Sequence, residues 1–404
     1  MRWYIRHNGF MALFAVFNAF IWGVLSPNLF DHLAFVSIIF INLLKLCALP
    51  IILTSLVVVI AKLPEVSGLK RITFSSLTFI ILSEIIAVLI GLILFNYLNI
   101  KVNLDLSNLL KMSNYVPDGN SKFNINDVFN YVFPDNIFVS LEKFQLIPIL
   151  VFSILVGFAS LINKAKAEHF LNLLDSVREI FLTLLKIIMY IAPFAIFVLI
   201  GSSVAHSHKS GHLEMDLMGL TKLIVVFLLG LFIHFMWQLI SVFILYRKLP
   251  IRVFLKEVLP IFITAFVTSS SLATLPVAIE KAHKLGGKRQ VVDFMLPVCA
   301  SMNFSSGMMY EVVTTLFFLN VLGVNLDLYH QILLATFCIL TGIAVGGIPE
   351  TSMVSFVIIF GMFGVPTSII SILLPIDRIL DRIRTMVNIF GNTCGTLIVS
   401  KFNK

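Results

Sequence analysis

The chain has 404 residues, of which 59% are hydrophobic and 12% are charged, and its formal net charge at pH 7 is +8. Soluble domains contain about 25% charged residues, so this composition excludes an ordinary soluble protein and indicates a helical membrane protein. Lys and Arg lie in short connections between apolar segments, which excludes a nucleic-acid-binding groove and is typical of topology signals.

Six apolar segments in the first part of the chain are long enough to be candidate membrane spans. The longest polar connector, Asn99–Asp135, is predicted to be an extracellular loop with partial structure, and Asn163–Arg178 and His206–Asp216 are predicted to be shorter connectors. The distribution of basic residues places both termini in the cytoplasm. No convincing cleavage site follows the first segment, so we expect a retained span and not a signal peptide. The predicted spans are Phe10–Leu29, Val36–Leu63, Phe74–Leu98, Leu146–Ile162, Ile180–Val204 and Leu220–Tyr246.

Cysteine and histidine give no metal-binding pattern. The four cysteines lie scattered in apolar segments without metal-ligand spacing, which predicts free buried thiols at Cys47, Cys299, Cys338 and Cys394. His234 lies inside an apolar span and is predicted to be a packed or hydrogen-bonded side chain.

Two later apolar segments are interrupted at their centres. In Val258–Lys281 the break is Thr268-Ser269-Ser270-Ser271, and in Ile332–Val365 it extends from Gly346 to Ser352. Each flank is only ~10–14 residues long and cannot span a membrane alone, so both segments are predicted to be re-entrant hairpins. Paired interrupted segments indicate a transporter binding site, because half-helix N-termini present N–H groups to an anion.

The segment between these hairpins, Phe294–Val321, is also interrupted. The sequence Asn303-Phe304-Ser305-Ser306-Gly307 is a poor helix former at its centre. An unwound backbone there would free carbonyl groups, which suit a desolvated cation.

A row of polar side chains follows one face of the last apolar segment, Ser368–Ser400. Their spacings of three and four residues place them on one helical stripe. Two acids and an arginine within a membrane helix are costly unless they face a protein interior or a wet cavity, so the row predicts a binding site for a polar solute. Its members are Asp377, Asp381, Arg384, Thr385, Asn388 and Asn392.

Five motifs match those of one known family. The most specific extends from Asp377 and Ile379-Leu380-Asp381 to Arg384-Thr385-Met386-Val387-Asn388. The others are Leu43-Leu44-Lys45 to Pro50-Ile51, Ala192-Pro193-Phe194 to Phe197, Thr264 to Ser271 with Thr274-Leu275-Pro276, and Gly347-Ile348-Pro349. On these motifs the chain resembles the glutamate and aspartate transporters of the dicarboxylate/amino acid:cation symporter family, and the resemblance covers nearly the whole chain.

The resemblance implies an all-α multi-pass membrane protein with eight transmembrane helices, two re-entrant helical hairpins and inverted repeats. It also implies a homotrimer that works by an elevator mechanism. Residues 1–73 would form scaffold and trimerisation helices, residues 74–98 the third helix, and residues 99–218 the extracellular loop with further scaffold helices. Residues 219–404 would complete the transport domain with helix 6, hairpin 1, helix 7, hairpin 2 and helix 8.

The resemblance also implies roles for the polar row. Arg384 would hold the side-chain carboxylate of the substrate, and Asp381 would hold its amino group; the alternative is an ion pair between the two residues. Thr385 and Asn388 match further substrate contacts, although both could bond only to backbone. Ser270 and Ser271 match serines near the α-carboxylate, with a polar turn as the alternative. Arg378 and Arg382 are expected at an interface or in ion pairs.

The cation sites depart from the family pattern. Ser305 stands where relatives have a sodium-binding aspartate, Asn392 where they have a second one, and Gly307 where they have a substrate-contacting threonine. The pair Ser83 and Glu84 stands where the third span of relatives contributes Thr and Ser. The sequence therefore predicts coupling by protons or by fewer sodium ions, and a sodium site that uses Glu84 in place of the missing aspartate is the rival.

Further acidic and small residues complete the expected site. Glu311 follows the break by one turn and matches a glutamate that serves proton and potassium coupling in eukaryotic relatives; the alternative is a buried hydrogen-bonded acid. The second hairpin would be the outer gate, where Glu350 could repel an anionic substrate or face water. The gate residues are Gly347, Pro349, Glu350 and Ser352. The cation-coupling candidates are Ser83, Glu84, Ser301, Asn303, Ser305, Glu311, Asn388 and Asn392, with possible sodium at Asn303, Asn388 and Asn392.

Together these features predict a symporter that imports glutamate or aspartate with H+ or Na+ and has no other cofactor. The expected location is the bacterial inner membrane, with lipid as the surrounding partner. A C4-dicarboxylate or neutral amino acid symporter of the same fold is the alternative. A passive anion channel, an intramembrane hydrolase that uses the serine run and a receptor without transport activity are rivals of other classes.

Overall fold

The computed structural model describes residues 14–15, 17–61, 70–98, 136–142, 146–188, 190–210, 213–246, 250–345 and 351–403. Regular structure in these residues is helical, with no strand among them. This agrees with the all-α class that the apolar segments predict. The expected loop Asn99–Asp135 lies outside the described residues.

The first half of the chain supplies a group of long apolar helices. Residues 17–25 are helical, and α1 (Asn28–Ala61) then packs against α4 (Leu146–Ile162), α5 (Lys164–Ile188) and α6 (Ala192–Ser210). In the described residues, two helices are long and apolar enough to cross a membrane, over Arg71–Leu98 and Met218–Leu245. The helices are α1 (Asn28–Ala61), α2 (Lys70–Leu98), α3 (Ile137–Glu142), α4 (Leu146–Ile162), α5 (Lys164–Ile188), α6 (Ala192–Ser210) and α7 (Leu213–Leu245).

Several predicted boundaries are wrong. The span Ile180–Val204 is not one helix, because α5 ends at Ile188 and α6 begins at Ala192. Pro193 suits the first turn of α6 but not the interior of a longer helix. The predicted connector Asn163–Arg178 is largely helical, since its polar residues form the exposed side of the amphipathic α5. Likewise, α6 and α7 include most of His206–Asp216, and α1 begins at Asn28, eight residues before the predicted Val36.

The second half consists of shorter helices joined by breaks. Helices α8 (Ile251–Thr268) and α9 (Ser271–Lys284) are connected by Ser269 and Ser270 and pack together as the first hairpin. Helices α12 (Leu328–Val345) and α13 (Thr351–Met362) pack together as the second hairpin. The tip of this hairpin, residues 346–350, lies outside the described residues. The helices are α8 (Ile251–Thr268), α9 (Ser271–Lys284), α10 (Arg289–Met302), α11 (Ser305–Val321), α12 (Leu328–Val345), α13 (Thr351–Met362) and, after a short 3₁₀ turn, α14 (Ile370–Phe402).

Helix α11 lies at the centre of this arrangement. Its residues are buried from Ser305 to Leu319, and it packs against α2, α7, α12, α13 and α14. A helix that is apolar on all sides needs such surroundings. Because α11 is enclosed, the polar groups near its N-terminus face other protein groups.

Candidate functional site

Arg384 is the centre of a cluster of buried charges on α14. Its Nη2 atom donates hydrogen bonds to Asp377 Oδ1 at 2.6 Å and to Asp381 Oδ1 at 3.1 Å. The guanidinium group also lies over the ring of Tyr310 on α11, with Cζ 4.4 Å from the ring centroid. We call Asp377, Asp381 and Arg384 the charged cluster. The Asp381–Arg384 ion pair that the sequence suggested is present, but Asp377 is the nearer partner.

The charged cluster has unused hydrogen-bonding capacity. Arg384 is fully buried, and neither its Nε nor its Nη1 has a hydrogen-bond partner among the described residues. Such donors are costly to bury unpaired, and the planar guanidinium fits a carboxylate. The side chain of Asp381 is 14% exposed and that of Asp377 only 3%, so Asp381 is the acid more open to a ligand.

The first hairpin turn lies next to this part of α14. Arg382 Nη1 donates to the carbonyl oxygens of Phe266 at 2.8 Å and Val267 at 3.3 Å, near the end of α8. Ser269 then adopts the left-handed conformation with φ 50°, which turns the chain. Ser270 caps α9 by accepting a hydrogen bond from the backbone N–H of Ala273 at 3.2 Å. The structure thus brings the predicted serines to a helix N-terminus beside α14.

Thr385 and Ser271 are two further predicted substrate contacts. Thr385 Oγ1 donates to the Asp381 carbonyl oxygen at 2.8 Å within α14. Ser271 is the first residue of α9 and is partly buried. The role of both hydroxyl groups in binding stays a prediction.

The break between α10 and α11 is joined to α14 by amide groups. Asn303 Nδ2 donates to Asn392 Oδ1 at 2.7 Å. Asn388 Oδ1 accepts from the Ser306 backbone N–H at 3.0 Å and from Ser305 Oγ at 3.3 Å. Asn303 Oδ1 accepts from the Ser305 backbone N–H at 3.3 Å. We call Asn303, Ser305, Asn388 and Asn392 the amide network; all four residues are buried.

Helix α7 adds two residues to this network that the sequence analysis did not assign to the site. His234 Nε2 lies 3.3 Å from Ser305 Oγ, and Gln238 Nε2 lies 2.8 Å from His234 Nε2. Both side chains are buried. The separation of four residues places His234 and Gln238 on one helical face, which was the available sequence signal. The prediction of a hydrogen-bonded His234 is confirmed.

Glu84 reaches the same break from α2. It is fully buried and approaches the backbone N–H of Phe304. Neither of its carboxyl oxygens forms a hydrogen bond of standard geometry with the described residues. The neighbouring Ser83 is also buried, and its hydroxyl group has no hydrogen-bond partner among the residues that the structure describes. Glu84 thus places a buried carboxyl group beside the α10–α11 break.

Glu311 joins α11 to the second hairpin. Its buried carboxyl group faces the hydroxyl groups of Thr341 on α12 and Ser355 on α13, and it lies within electrostatic range of Arg384. Its position connects the charged cluster with the helices of the predicted gate. Among the gate residues, Ser352 is buried near the start of α13, while Gly347, Pro349 and Glu350 lie outside the described residues.

Ser301 and Gly307 lie near the α10–α11 break but outside the amide network. Ser301 donates to the carbonyl oxygens of Pro297 and Val298 in its own helix, at 3.2 and 2.9 Å, and has no recorded bond to the amide network. The Phe304 ring occupies the space that a Cβ atom at Gly307 would need. Any side chain at this position would therefore displace the ring.

These features define a class of protein. A buried arginine, two of whose donors have no partner among the described residues, lies among acids. It stands between a capped hairpin turn and a broken helix, within a largely apolar helical protein. That combination is typical of the central binding site of a secondary transporter.

Comparisons with known proteins identify the family. The chain belongs to the sodium:dicarboxylate symporter family, whose model matches residues 9–402. It is 26% identical to a proton/sodium-glutamate symport protein of Bacillus subtilis, covering 93% of this chain and 87% of that protein. It is 27% identical to a proton/glutamate-aspartate symporter of Escherichia coli, covering 90% and 84%. Identity to human excitatory amino acid transporter 1 is 30%, covering 66% and 48%.

Proposed function

We propose that this protein is a secondary active symporter that imports glutamate or aspartate together with a cation. The observation that carries the proposal is the buried Arg384, whose Nε and Nη1 donors have no hydrogen-bond partner among the described residues. A carboxylate binds a guanidinium group bidentately through Nη2 and one neighbour, either Nε or Nη1, so an incoming carboxylate would satisfy one of these two donors. The names of the bacterial relatives support glutamate and aspartate as the substrates.

The charges of the cluster favour an amino acid over a simple dicarboxylate. Asp377 offsets the positive charge of Arg384 through the shorter ion pair, at 2.6 Å. Asp381, whose contact is longer at 3.1 Å, is left to bind a cationic group. A substrate that carries both a side-chain carboxylate and an ammonium group would complement Arg384 and Asp381 together. Succinate or malate would leave Asp381 facing a second acid.

We assign the α-carboxylate of the substrate to the turn of the first hairpin. The first turn of α9, capped by Ser270, presents backbone N–H groups and the positive end of a helix dipole. Ser271 lies in that turn, and Thr385 and Asn388 lie on the facing stripe of α14. We propose these residues as contacts of the α-carboxylate and ammonium groups.

Protons are the proposed coupling ion, through Glu311 and Glu84. Both acids are fully buried, and neither carboxyl group forms a hydrogen bond of standard geometry in the described part of the chain. Isolated carboxylates in such positions favour the protonated form unless a cation arrives. Glu311 is the more direct candidate, because it faces both helices of the second hairpin and lies within electrostatic range of Arg384.

The proposal includes the architecture that the resemblance implies. It comprises eight membrane-spanning helices, two re-entrant hairpins, a homotrimer and an elevator motion in the bacterial inner membrane, with both termini in the cytoplasm. The second helix of each hairpin supports the re-entrant assignment, since α9 and α13 have 14 and 12 residues and are too short to span a membrane. The first helices, α8 and α12, have 18 residues each and are longer than the ~10–14 residues predicted for each flank. Residues 1–73 and 99–218 would form the scaffold, and residues 74–98 and 219–404 the transport domain.

Uptake by the purified protein in liposomes tests the function directly. Radiolabelled aspartate and glutamate should accumulate above the external concentration under an inward pH gradient, with unlabelled succinate, malate and neutral amino acids as competitors. Transport of succinate or malate without aspartate or glutamate would contradict the role of Asp381. Flux that never exceeds equilibrium would indicate a channel, and ester hydrolysis lost with Ser270→Ala would indicate an enzyme.

A further inference from the structure

The ring of Tyr310 on α11 contacts side chains from three other helices. The Arg384 guanidinium group of α14 lies over its face, with Cζ 4.4 Å from the ring centroid. The Phe227 ring of α7 approaches it with centroids 4.9 Å apart, and the Phe356 ring of α13 with centroids 5.3 Å apart. All four side chains are buried. The second hairpin, to which α13 belongs, therefore reaches the charged cluster through one aromatic ring.

The hydrogen bonds of Arg384 restrain one end of its planar group. Both bonds leave from Nη2, to Asp377 at 2.6 Å and to Asp381 at 3.1 Å. The other two nitrogen atoms, Nε and Nη1, have no hydrogen-bond partner among the described residues. The contact that the structure records across the whole guanidinium group is the face of Tyr310, and a cation over a buried ring is favourable. Because bidentate binding of a carboxylate needs the plane of the guanidinium group to be aligned, this ring bears on carboxylate recognition.

Packing holds the Tyr310 ring in place. Its hydroxyl group forms no hydrogen bond of standard geometry with the described residues. The ring is tilted by 54° to Phe227 and by 74° to Phe356, which are inclined and edge-to-face arrangements that aromatic pairs prefer. One of these two partners belongs to the second hairpin. The orientation of the Tyr310 ring thus depends on the position of α13.

A second phenylalanine on α13 lies one turn further along the helix. Phe360 is as buried as Phe356 and packs against it with centroids 4.9 Å apart. Its other ring contact is Phe318, at 6.2 Å, and no ring contact with Tyr310 is recorded in the described part of the chain. The same helix therefore carries two buried phenylalanines, one that adjoins Tyr310 and one that serves as a matched control.

We propose that Phe356 is a positioning residue for substrate binding, because it fixes the Tyr310 ring on which the Arg384 guanidinium group lies. Phe227 supports the same ring from α7. Phe356 acts through Tyr310, so the second hairpin helps to align the donors of Arg384 with the substrate carboxylate. A displacement of α13 would remove one support of the ring, which couples the position of the hairpin to the orientation of Arg384. This inference rests on the proposed function, in which Arg384 binds a carboxylate.

Aspartate affinity, measured by calorimetry on the purified full-length protein, tests this role. Phe356→Leu removes the ring but keeps an apolar side chain, and we expect the dissociation constant to rise about fivefold, the order of a lost aromatic pair. Phe360→Leu should stay within about twofold of wild type. Thermal unfolding should give similar losses of Tm in both variants, because both truncate buried phenylalanines. A loss of affinity in Phe356→Leu alone is then not a general loss of packing.

Two further variants test the route through Tyr310. Phe227→Leu acts on the same ring from α7 and should weaken aspartate binding about as much as Phe356→Leu, which provides the same test should Phe356→Leu not fold. Tyr310→Leu removes the ring itself. In that background, adding Phe356→Leu should change the affinity by no more than about twofold, because two residues that act through one contact are not additive.

Three results would overturn the inference. They are wild-type affinity in Phe356→Leu or in Phe227→Leu, equal losses in Phe356→Leu and Phe360→Leu, and the same fivefold loss with and without the Tyr310 ring. Wild-type protein that binds neither aspartate nor glutamate would overturn the proposed function, and this inference with it. Unchanged affinity in the variants of a wild type that does bind would overturn the inference alone.

Discussion

The two ends of the polar stripe on α14 use opposite chemistry. At Asp377, Asp381 and Arg384 the helix carries three charges bonded within 3.1 Å. One to two turns later, Asn388 and Asn392 meet the α10–α11 break through neutral amides and hydroxyls. In the proposed function, substrate recognition uses these fixed charges, whereas the neighbouring part of the stripe is neutral.

The largest expected effect follows from removal of Arg384. Arg384→Ala deletes the carboxylate-binding donors and leaves Asp377 buried without its partner, so we expect a loss of about 3–5 kcal/mol in stability and at least about 100-fold in aspartate affinity. Calorimetric binding and thermal unfolding measure both. Arg384→Lys should recover stability more than affinity, because an ammonium group cannot form the bidentate contact. Arg289→Ala, at an 89% exposed side chain, is the control. Wild-type affinity in Arg384→Ala would exclude the charged cluster as the site.

Glu311 tests whether the charged end also controls coupling. Glu311→Gln keeps the shape and removes the proton-binding group, so uptake driven by a pH gradient should fall to background while exchange of internal for external aspartate continues. Proteoliposome flux with and without the gradient measures the two modes. Glu280→Gln, at an exposed acid, should transport as the wild type does. Unchanged gradient-driven uptake in Glu311→Gln would transfer the coupling role to Glu84.

Asp381 separates the two acids of the cluster. Asp381→Asn should lower aspartate affinity by about 10-fold or more, because it weakens the contact to the ammonium group, and should affect succinate competition less. The matched variant Asp377→Asn should mainly lower the Tm, since Asp377 has the shorter bond to Arg384 and the more buried carboxylate. Equal effects of both variants on Tm and affinity would show that the acids share one role.

Arg382 connects the stripe to the first hairpin and should have a smaller effect. Arg382→Ala removes hydrogen bonds to the carbonyl oxygens of Phe266 and Val267, for an expected cost of about 1 kcal/mol. Thermal unfolding measures it, with Arg252→Ala at an exposed position as the control. A Tm equal to that of the control would mean that the contact does not stabilise the hairpin.

The smallest effect is expected outside the membrane-spanning segments. The backbone N–H and then the side chain of His330 bond to Asp327 and lower the pKa of its carboxyl group. A lowered folded-state pKa stabilises the protein above the unfolded pKa, and this contribution disappears as the pH falls through the folded value. Asp327→Asn should therefore reduce the Tm slightly at neutral pH, and the difference should shrink as the pH falls below the unfolded-state value. A difference that stays constant as the pH is lowered would contradict the ionic origin.

The residues of the charged cluster could be predicted from the sequence more completely than the contacts of the amide network. Spacing alone placed Asp377, Asp381 and Arg384 on one face, and breaks in the apolar runs predicted the turn between α8 and α9 and the α10–α11 interruption. The predicted tip of the second hairpin lies outside the described residues. The partners from other helices could not be predicted this way. Tyr310 under Arg384, and His234 with Gln238 beside Ser305, are brought together by helix packing across long sequence separations. Polar composition also mislabelled α5 as a connector, because an amphipathic helix and a loop can have similar composition.

Aspartate binding to the wild-type protein, measured by calorimetry in NaCl and in choline chloride at equal pH and ionic strength, tests the contrast most directly. The charged cluster with a neutral neighbour predicts binding in both salts, with dissociation constants that agree within about twofold. Binding that appears only in NaCl would contradict the account, because the substrate site would then depend on a bound sodium ion as well as on the charged cluster.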